Sequence, residues 1–296
     1  MFKRVLTAMV MQEACDPAVI AALEIAKRNQ GKLLVLHVLE SSYRHDCGPE
    51  AGVNDFRTGE VIAPTHEYRE TVKAELDKKC GGALKSYGNY EIDIVDGWPG
   101  TEIRRWTRKF GADLIVLGPH VERPEEEGKL TGEERRNPVE DVIARVTTPV
   151  MIVNSFVDKA RLDFKQILVG IDFSKSCAYA CQFAIKLAQR YGSKLVLFHM
   201  GGPKEEIGAS RKRLQEFCKV PNEIECEYSV REGIQPSAEI LKTANEKQAN
   251  LIVMGSHTRE AGAKPYVGSA VEEVSSRSSC PVAIVTHPDA VAKTEI

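Results

Sequence analysis

The sequence has no surplus of charge of either sign: 40 Lys and Arg against 42 Asp and Glu leave a formal net charge of −2 over 296 residues. A nucleic-acid binder would carry a clear basic excess, so that class of partner is not expected. No apolar run approaches the roughly 18 residues of a membrane-spanning helix, which argues against a membrane protein. The eight cysteines are irregularly spaced and include no CxxC. With no export signal in view, reduced thiols in a cytoplasm are expected. No GxSxG elbow supports a serine nucleophile. His37, His45, Cys47 and His66 lack the paired spacing of a zinc site. The opening "MFKRVLTAMVMQEACDP" has an apolar stretch, but Gln12, Glu13 and Asp16 break it and no small-residue cleavage site follows. It reads as a first strand.

What is present is an ordinary globular composition, 43% hydrophobic and 28% charged, in a chain long enough for two domains. The chain also repeats itself. The segment from Lys3 aligns without a gap with the segment from Lys165, through His37 over His199, with Cys15 over Cys177 and Arg28 over Arg190. "ADLIVLGPH" from Ala112 matches "ANLIVMGSH" from Ala249, and Pro149 falls over Pro281. Three blocks in one order, with length changes only between them, indicate duplication of a whole domain. The boundary falls in polar "NSFVDKARLD", giving domains 1–157 and 158–296.

Within each half the hydrophobic period alternates between strand and helix. "QILVGI", "KLVLFHM", "NLIVMG" and "PVAIV" are short, almost wholly apolar strands. Between them, "CAYACQFAIKLAQRYG" sets Ala178, Cys181, Ala184, Ile185 and Ala188 at helical spacing and ends on a capping Gly192, while Ile240, Leu241 and Ala244 share a second helical face. Apolar strands separated by amphipathic helices predict a parallel sheet covered on both faces. The expected fold class is α/β, as two tandem doubly wound domains. Ligands in such folds sit beyond the carboxyl ends of the strands, near the switch in strand order.

Two loops of the second half therefore carry the candidate site. Asp172, at the end of the first strand, could accept hydrogen bonds from ribose hydroxyls or an adenine amine, or could serve local backbone; Ser174 could cap the next helix. The fourth strand ends at Gly255, where no Cβ would obstruct a ligand. Gly268-Ser269 opens the following helix, whose free amides favour an anion. Arg259 and Lys264 lie between, as phosphate partners or as solvated charge.

The block "LIVMGSHTREAGAKPYVGSAVEEVSSRSSCPVAIV", with "ILVGIDFS", resembles the universal stress protein family, and the resemblance covers both halves. It implies a mainly parallel five-stranded sheet in each half. It also implies binding of ATP or a related adenine nucleotide, with Mg²⁺ possible. The family's Gly-x2-Gly-x9-Gly-Ser/Thr frame reads here Gly255-x2-Thr258-x9-Gly268-Ser269. The spacing is kept, but a threonine at a position needing φ > 0 would be strained. The resemblance assigns Ile171, Asp172, Met200 and Met254 to the nucleoside, and Gly255, Thr258, Arg259, Gly268, Ser269 and Ala270 to the phosphates. It also implies pairing through the last strand, as a homodimer or internally between the halves.

The first half departs from that pattern. Asp172 aligns with Val10, Ser174 with Gln12, Gly268 with Arg136 and Ser269 with Asn137, while Pro138 has no amide to donate. The loop after Gly118 is longer and holds Glu125, Glu126 and Glu127, which would repel phosphate. This half is expected to be structural or to bind something other than a nucleotide. Ser41 to Pro64 is read as a long polar loop. The expected function is a cytoplasmic stress-response regulator whose C-terminal domain binds the nucleotide, with slow ATP hydrolysis at most because no general base stands by the phosphate loop. The alternative is an interaction or dimerisation module for another small ligand or a protein.

Overall fold

The computed structural model describes residues 1–10, 16–41, 52–55, 58–118, 137–154, 157, 162–202, 206–256 and 267–292. Apart from Met1, the chain divides into two compact units, Phe2–Val142 and Ile143–Ile296.

The first unit contains strands β1 (Arg4–Ala8), β2 (Lys32–Glu40), β3 (Val53–Asn54), β4 (Val61–Ile62), β5 (Tyr90–Gly97) and β6 (Leu114–Leu117), with helices α1 (Pro17–Asn29), α2 (His66–Tyr87) and α3 (Pro99–Phe110). Helix α4 (Pro138–Arg145) spans the division. The main strands run in the order β6-β1-β2-β5, all parallel. The segment read as a long loop is partly ordered: β3 and β4 form an antiparallel hairpin, Ser41 bridges to Val53, and Val53 is fully buried. Cys80 on α2 is disulfide-bonded, against the expectation of reduced thiols; Cys177, Cys181, Cys218, Cys226 and Cys280 are free.

The second unit contains β7 (Val150–Ile152), β8 (Gln166–Gly170), α5 (Lys175–Tyr191), β9 (Lys194–Gly201), α6 (Ile207–Phe217), β10 (Cys226–Glu232), α7 (Pro236–Glu246), β11 (Leu251–Gly255), α8 (Ser269–Arg277), β12 (Val282–Val285) and α9 (Pro288–Ala292). Its strand order is β10-β9-β8-β11-β12-β7. The first five are parallel. β7 joins antiparallel, with Val282 opposite Ile152 and Ile284 opposite Val150. In strand numbers of the repeat the order is 3-2-1-4-5, the doubly wound arrangement. From Ile167 to Val169 and from Leu251 to Val253 every residue is fully buried, as strands covered on both faces must be.

Local chemistry explains the helices. Ser174 caps α5 by accepting from the Cys177 amide at 3.3 Å, and Gly192 ends it at φ +61°. The buried face of α5 is wider than the expected stripe. Cys177, Ala180, Phe183 and Leu187 join Cys181, Ala184 and Ala188, while Ala178 and Ile185 are half-buried. Helix α1 ends at the matched position, Asn29, but has 13 residues against 17. It begins about one turn later, and its cap is Asp16, accepting from the Ala18 amide at 2.8 Å ahead of Pro17. The gapless alignment hides that shift.

Candidate functional site

The chain leaves β8 for β9 and β10 on one side, then returns to β11 on the other, so the switch in strand order lies between β8 and β11. These neighbours run parallel, with Met254 opposite Gly170. Their carboxyl ends bring together the β8–α5 loop, with Ile171 and Asp172, and the end of β11, with Met254 and Gly255. Ile171 is buried; its amide donates to the Phe198 carbonyl at 2.8 Å and its carbonyl lies 2.9 Å from His199 Nδ1. Asp172 is exposed, with Oδ1 accepting from the Ser174 amide at 2.9 Å. Burial pushes the Cys177 thiol up to about 12, and the Asp172 carboxylate beside it adds to the effect. Met200, near the end of β9, is half-buried, and Met254 is buried.

Gly255 has a packing reason to be glycine. A Cβ there would meet the Cys177 nitrogen and the Ser176 carbonyl carbon, each at 2.5 Å. The space is filled by the first turn of α5, so the glycine admits a helix backbone at that point. Gly268 is different. It adopts φ +95°, ψ +128° at the head of α8, and a Cβ added there would meet none of the described residues within 4 Å. It supplies no side-chain cap, and among the described residues no side chain caps the first-turn amides of α8. Ser269 is exposed and Ala270 half-buried beside them. Thr258, Arg259 and Lys264 lie outside the described residues. The ends of their segment are held together: the buried Ser256 hydroxyl donates to the Val267 carbonyl at 2.9 Å.

The start of α8 is also anchored to α7. Glu273 accepts from Ser237 Oγ at 2.6 Å and from Gln235 Nε2, and pairs with Arg277 at 2.7 Å. These partners, the serine first, hold its carboxyl below the ordinary range. Nothing in the local sequence pattern announces this network beyond the presence of its residues.

The matched positions of the first unit are built otherwise. Val10 stands 60% exposed where Asp172 would be. Asn137 caps α4 with its own side chain, Oδ1 accepting from the Val139 amide at 2.8 Å, and Pro138 has no amide to offer. The Asp16 carboxylate is buried, 3.5 Å from where a Cβ on Gly118 would stand, and burial raises its pKa. His37 Nδ1 lies 3.0 Å from the Met9 carbonyl, reproducing the His199–Ile171 contact, and burial lowers its pKa. Gln12, the glutamates 125 to 127 and Arg136 lie outside the described residues, as do His45 and Cys47. Among the described residues no three side chains of His, Cys, Asp or Glu gather as metal ligands, and no helix is long and apolar enough to cross a membrane.

Two doubly wound α/β repeats, one with an uncapped helix N-terminus at its switch point, define the class. The model of the universal stress protein family matches residues 1–154 and again 163–286. The chain belongs to the universal stress protein family. It is 25% identical over 155 residues to a universal stress protein of Methanocaldococcus jannaschii, covering 46% of this chain and 91% of that one. It is 30% identical over 149 residues to the universal stress protein YxiE of Bacillus subtilis, covering 41% and 99%. The crystal structure of a universal stress protein from Archaeoglobus fulgidus shares the fold along the chain, with TM-score 0.71, 21% identity and 97% coverage of both chains.

Proposed function

We propose that this protein is a stress-response regulator whose C-terminal domain, 158–296, binds ATP or a related adenine nucleotide. The N-terminal domain, 1–157, then serves a structural role or takes a non-nucleotide ligand. The observation that carries this reading is the uncapped start of α8 behind Gly268, at the switch point that also presents Asp172. Free amides and the helix dipole favour a phosphate by about 0.3–1 kcal/mol even when exposed. Asp172 supplies an acceptor for ribose hydroxyls or the adenine amine, and Ile171, Met200 and Met254 supply the apolar contacts. Thr258 and Arg259 complete the proposed set with Gly255, Ser269 and Ala270. Mg²⁺ would be carried in with the phosphates. Slow ATP hydrolysis at most is part of this reading.

Equilibrium dialysis of ATP against the purified chain tests this. Saturable binding in the millimolar range or tighter is expected, and Asp172→Ala and Gly268→Arg should each lose it. Retained binding in both variants would remove the site from this place.

The second reading, an interaction module for another ligand or a protein, is favoured by Gly255, whose missing side chain makes room for α5 and not for a ligand. It predicts no rise in melting temperature with ATP. A cytoplasmic location accords with the five thiols outside any disulfide among the described residues, while the disulfide at Cys80 points the other way.

A further inference from the structure

Phe173, next to Asp172, has φ +64°. A bulky residue in the left-handed region is an outlier, and such strain persists only where the surroundings over-determine it. Those surroundings are specific. The ring lies 4.5 Å from the His199 ring and meets Phe217 edge-on at 5.3 Å. The Arg213 guanidinium sits 3.8 Å from its centroid, a cation–π contact. Arg213 and Phe217 are four residues apart on α6, so one helix face grips the ring. His199 also touches the backbone of Ile171, the other neighbour of Asp172.

Positive φ alone would mean little. Phe164 has φ +54° but lies before the amino end of β8, buried against Tyr191, away from any candidate site. Gln30 and Gln248 have positive φ at helix ends. Phe173 is the case at a strand's carboxyl end. Its left-handed turn is what carries the chain from β8 into the cap of α5 while leaving the Asp172 side chain exposed.

We propose that Phe173, clamped by Arg213 and Phe217 of α6, is a positioning residue that aims the Asp172 carboxylate at the ribose hydroxyls of a bound adenine nucleotide. This inference rests on the nucleotide-binding reading above. It makes α6 part of the specificity apparatus through its grip on the Phe173 ring.

The test is the ratio of affinities for AMP and dAMP, measured by calorimetry. The 2′-hydroxyl donates to a charged acceptor, so the wild-type chain should prefer AMP by roughly tenfold or more. Phe173→Gly tolerates the backbone turn and removes the clamp; its ratio should fall to about one to two. Phe173→Tyr keeps the ring and should restore the preference. Arg213→Ala, leaving one wall of the clamp, should fall between. A substitution that only loosened the fold would weaken both ligands alike and leave the ratio unchanged, and thermal unfolding of each variant checks that it is folded. An unchanged ratio in Phe173→Gly, or no preference in the wild-type chain, would overturn the positioning role while leaving nucleotide binding intact. Absence of binding of either nucleotide by the wild type would overturn both.

Discussion

At the scale of single residues, three glycines of the second unit do different things. A Cβ on Gly202 would meet none of the described residues within 4 Å, and its φ is not positive, so Gly202→Ala should change stability by less than about 0.5 kcal/mol. Gly268→Ala meets no atoms but must adopt φ +95°, and should cost about 1–3 kcal/mol. Gly255→Ala drives a methyl into the α5 backbone, which cannot yield as a side chain can, and should cost about 3 kcal/mol or more. Urea unfolding of the three variants checks the order; a neutral Gly255→Ala would refute the packing role. The thiols give a second prediction. Cys177 is raised to about 12 and Cys226 to about 11, burial being the chief cause, and Cys181 is raised by its hydrogen bond with Cys218 and by burial. Each should react with an aromatic disulfide reagent at pH 8 roughly a hundredfold more slowly than a free thiol, rising to normal in denaturant. Rapid native labelling would contradict this. The importance of Gly255 and Gly268 was legible in the sequence, because glycine at a strand end or helix start needs a backbone reason. Which reason was not, since it depends on which element crosses over the glycine. Phe173 was illegible: nothing in "GIDFSKSC" announces a positive φ at an aromatic residue.

At the scale of elements, the two repeats differ most in how their helices begin. Helix α1 is capped by a buried aspartate and α5 by a serine; α4 is capped by Asn137 and α8 by no side chain. Asp16 offers a pH test. Burial raises its folded pKa above the ordinary value of 3.8, outweighing the Ala18 amide. Ionisation therefore opposes folding, and the stability it carries is full below the unfolded pKa and lost as pH rises through the folded one. Asparagine caps as well as aspartate and cannot ionise. Asp16→Asn should match the wild type at about pH 3 and exceed it in stability near neutrality, whereas Asp16→Ala should lie about 1 kcal/mol below Asp16→Asn throughout. Asp113, also raised by burial, is common to all three chains, so the difference isolates Asp16. A wild type more stable than Asp16→Asn at pH 7 would contradict the burial argument. The strand and helix types were readable from period alone, because apolar runs between glycines leave few alternatives. The later start of α1 was not, because the two helices match residue for residue at their ends and differ only where the chain enters them.

At the scale of the molecule, the repeats and the compact units divide the chain differently. The repeat boundary lies after residue 154 in the sequence, yet residues 143 to 154 pack with the second half. β7 lines the edge of β12. The buried Asn154 amide donates to the Ser275 and Ser278 carbonyls at 2.8 and 2.9 Å, closing the carboxyl end of α8, and Thr286 Oγ1 donates to the Val146 carbonyl at 3.1 Å. Asn154→Ala should cost about 1–3 kcal/mol by leaving those carbonyls unpaired. A fragment 158–296 lacks β7, bares the apolar edge of β12 and should self-associate in sedimentation; a monomeric fragment would count against the role of β7. The duplication was plain from three blocks in register, and pairing through the last strand followed from the resemblance. That β7 would leave its own repeat's compact unit depends on long-range contacts that no local pattern encodes. The two halves differ at the matched positions: the second has an exposed aspartate and, among the described residues, a helix start with no capping side chain, whereas the first has Val10 and an asparagine cap. Calorimetric titration of the intact chain with ATP should give one nucleotide per chain, lost on Asp172→Ala. Two per chain, or none, would contradict the proposed function.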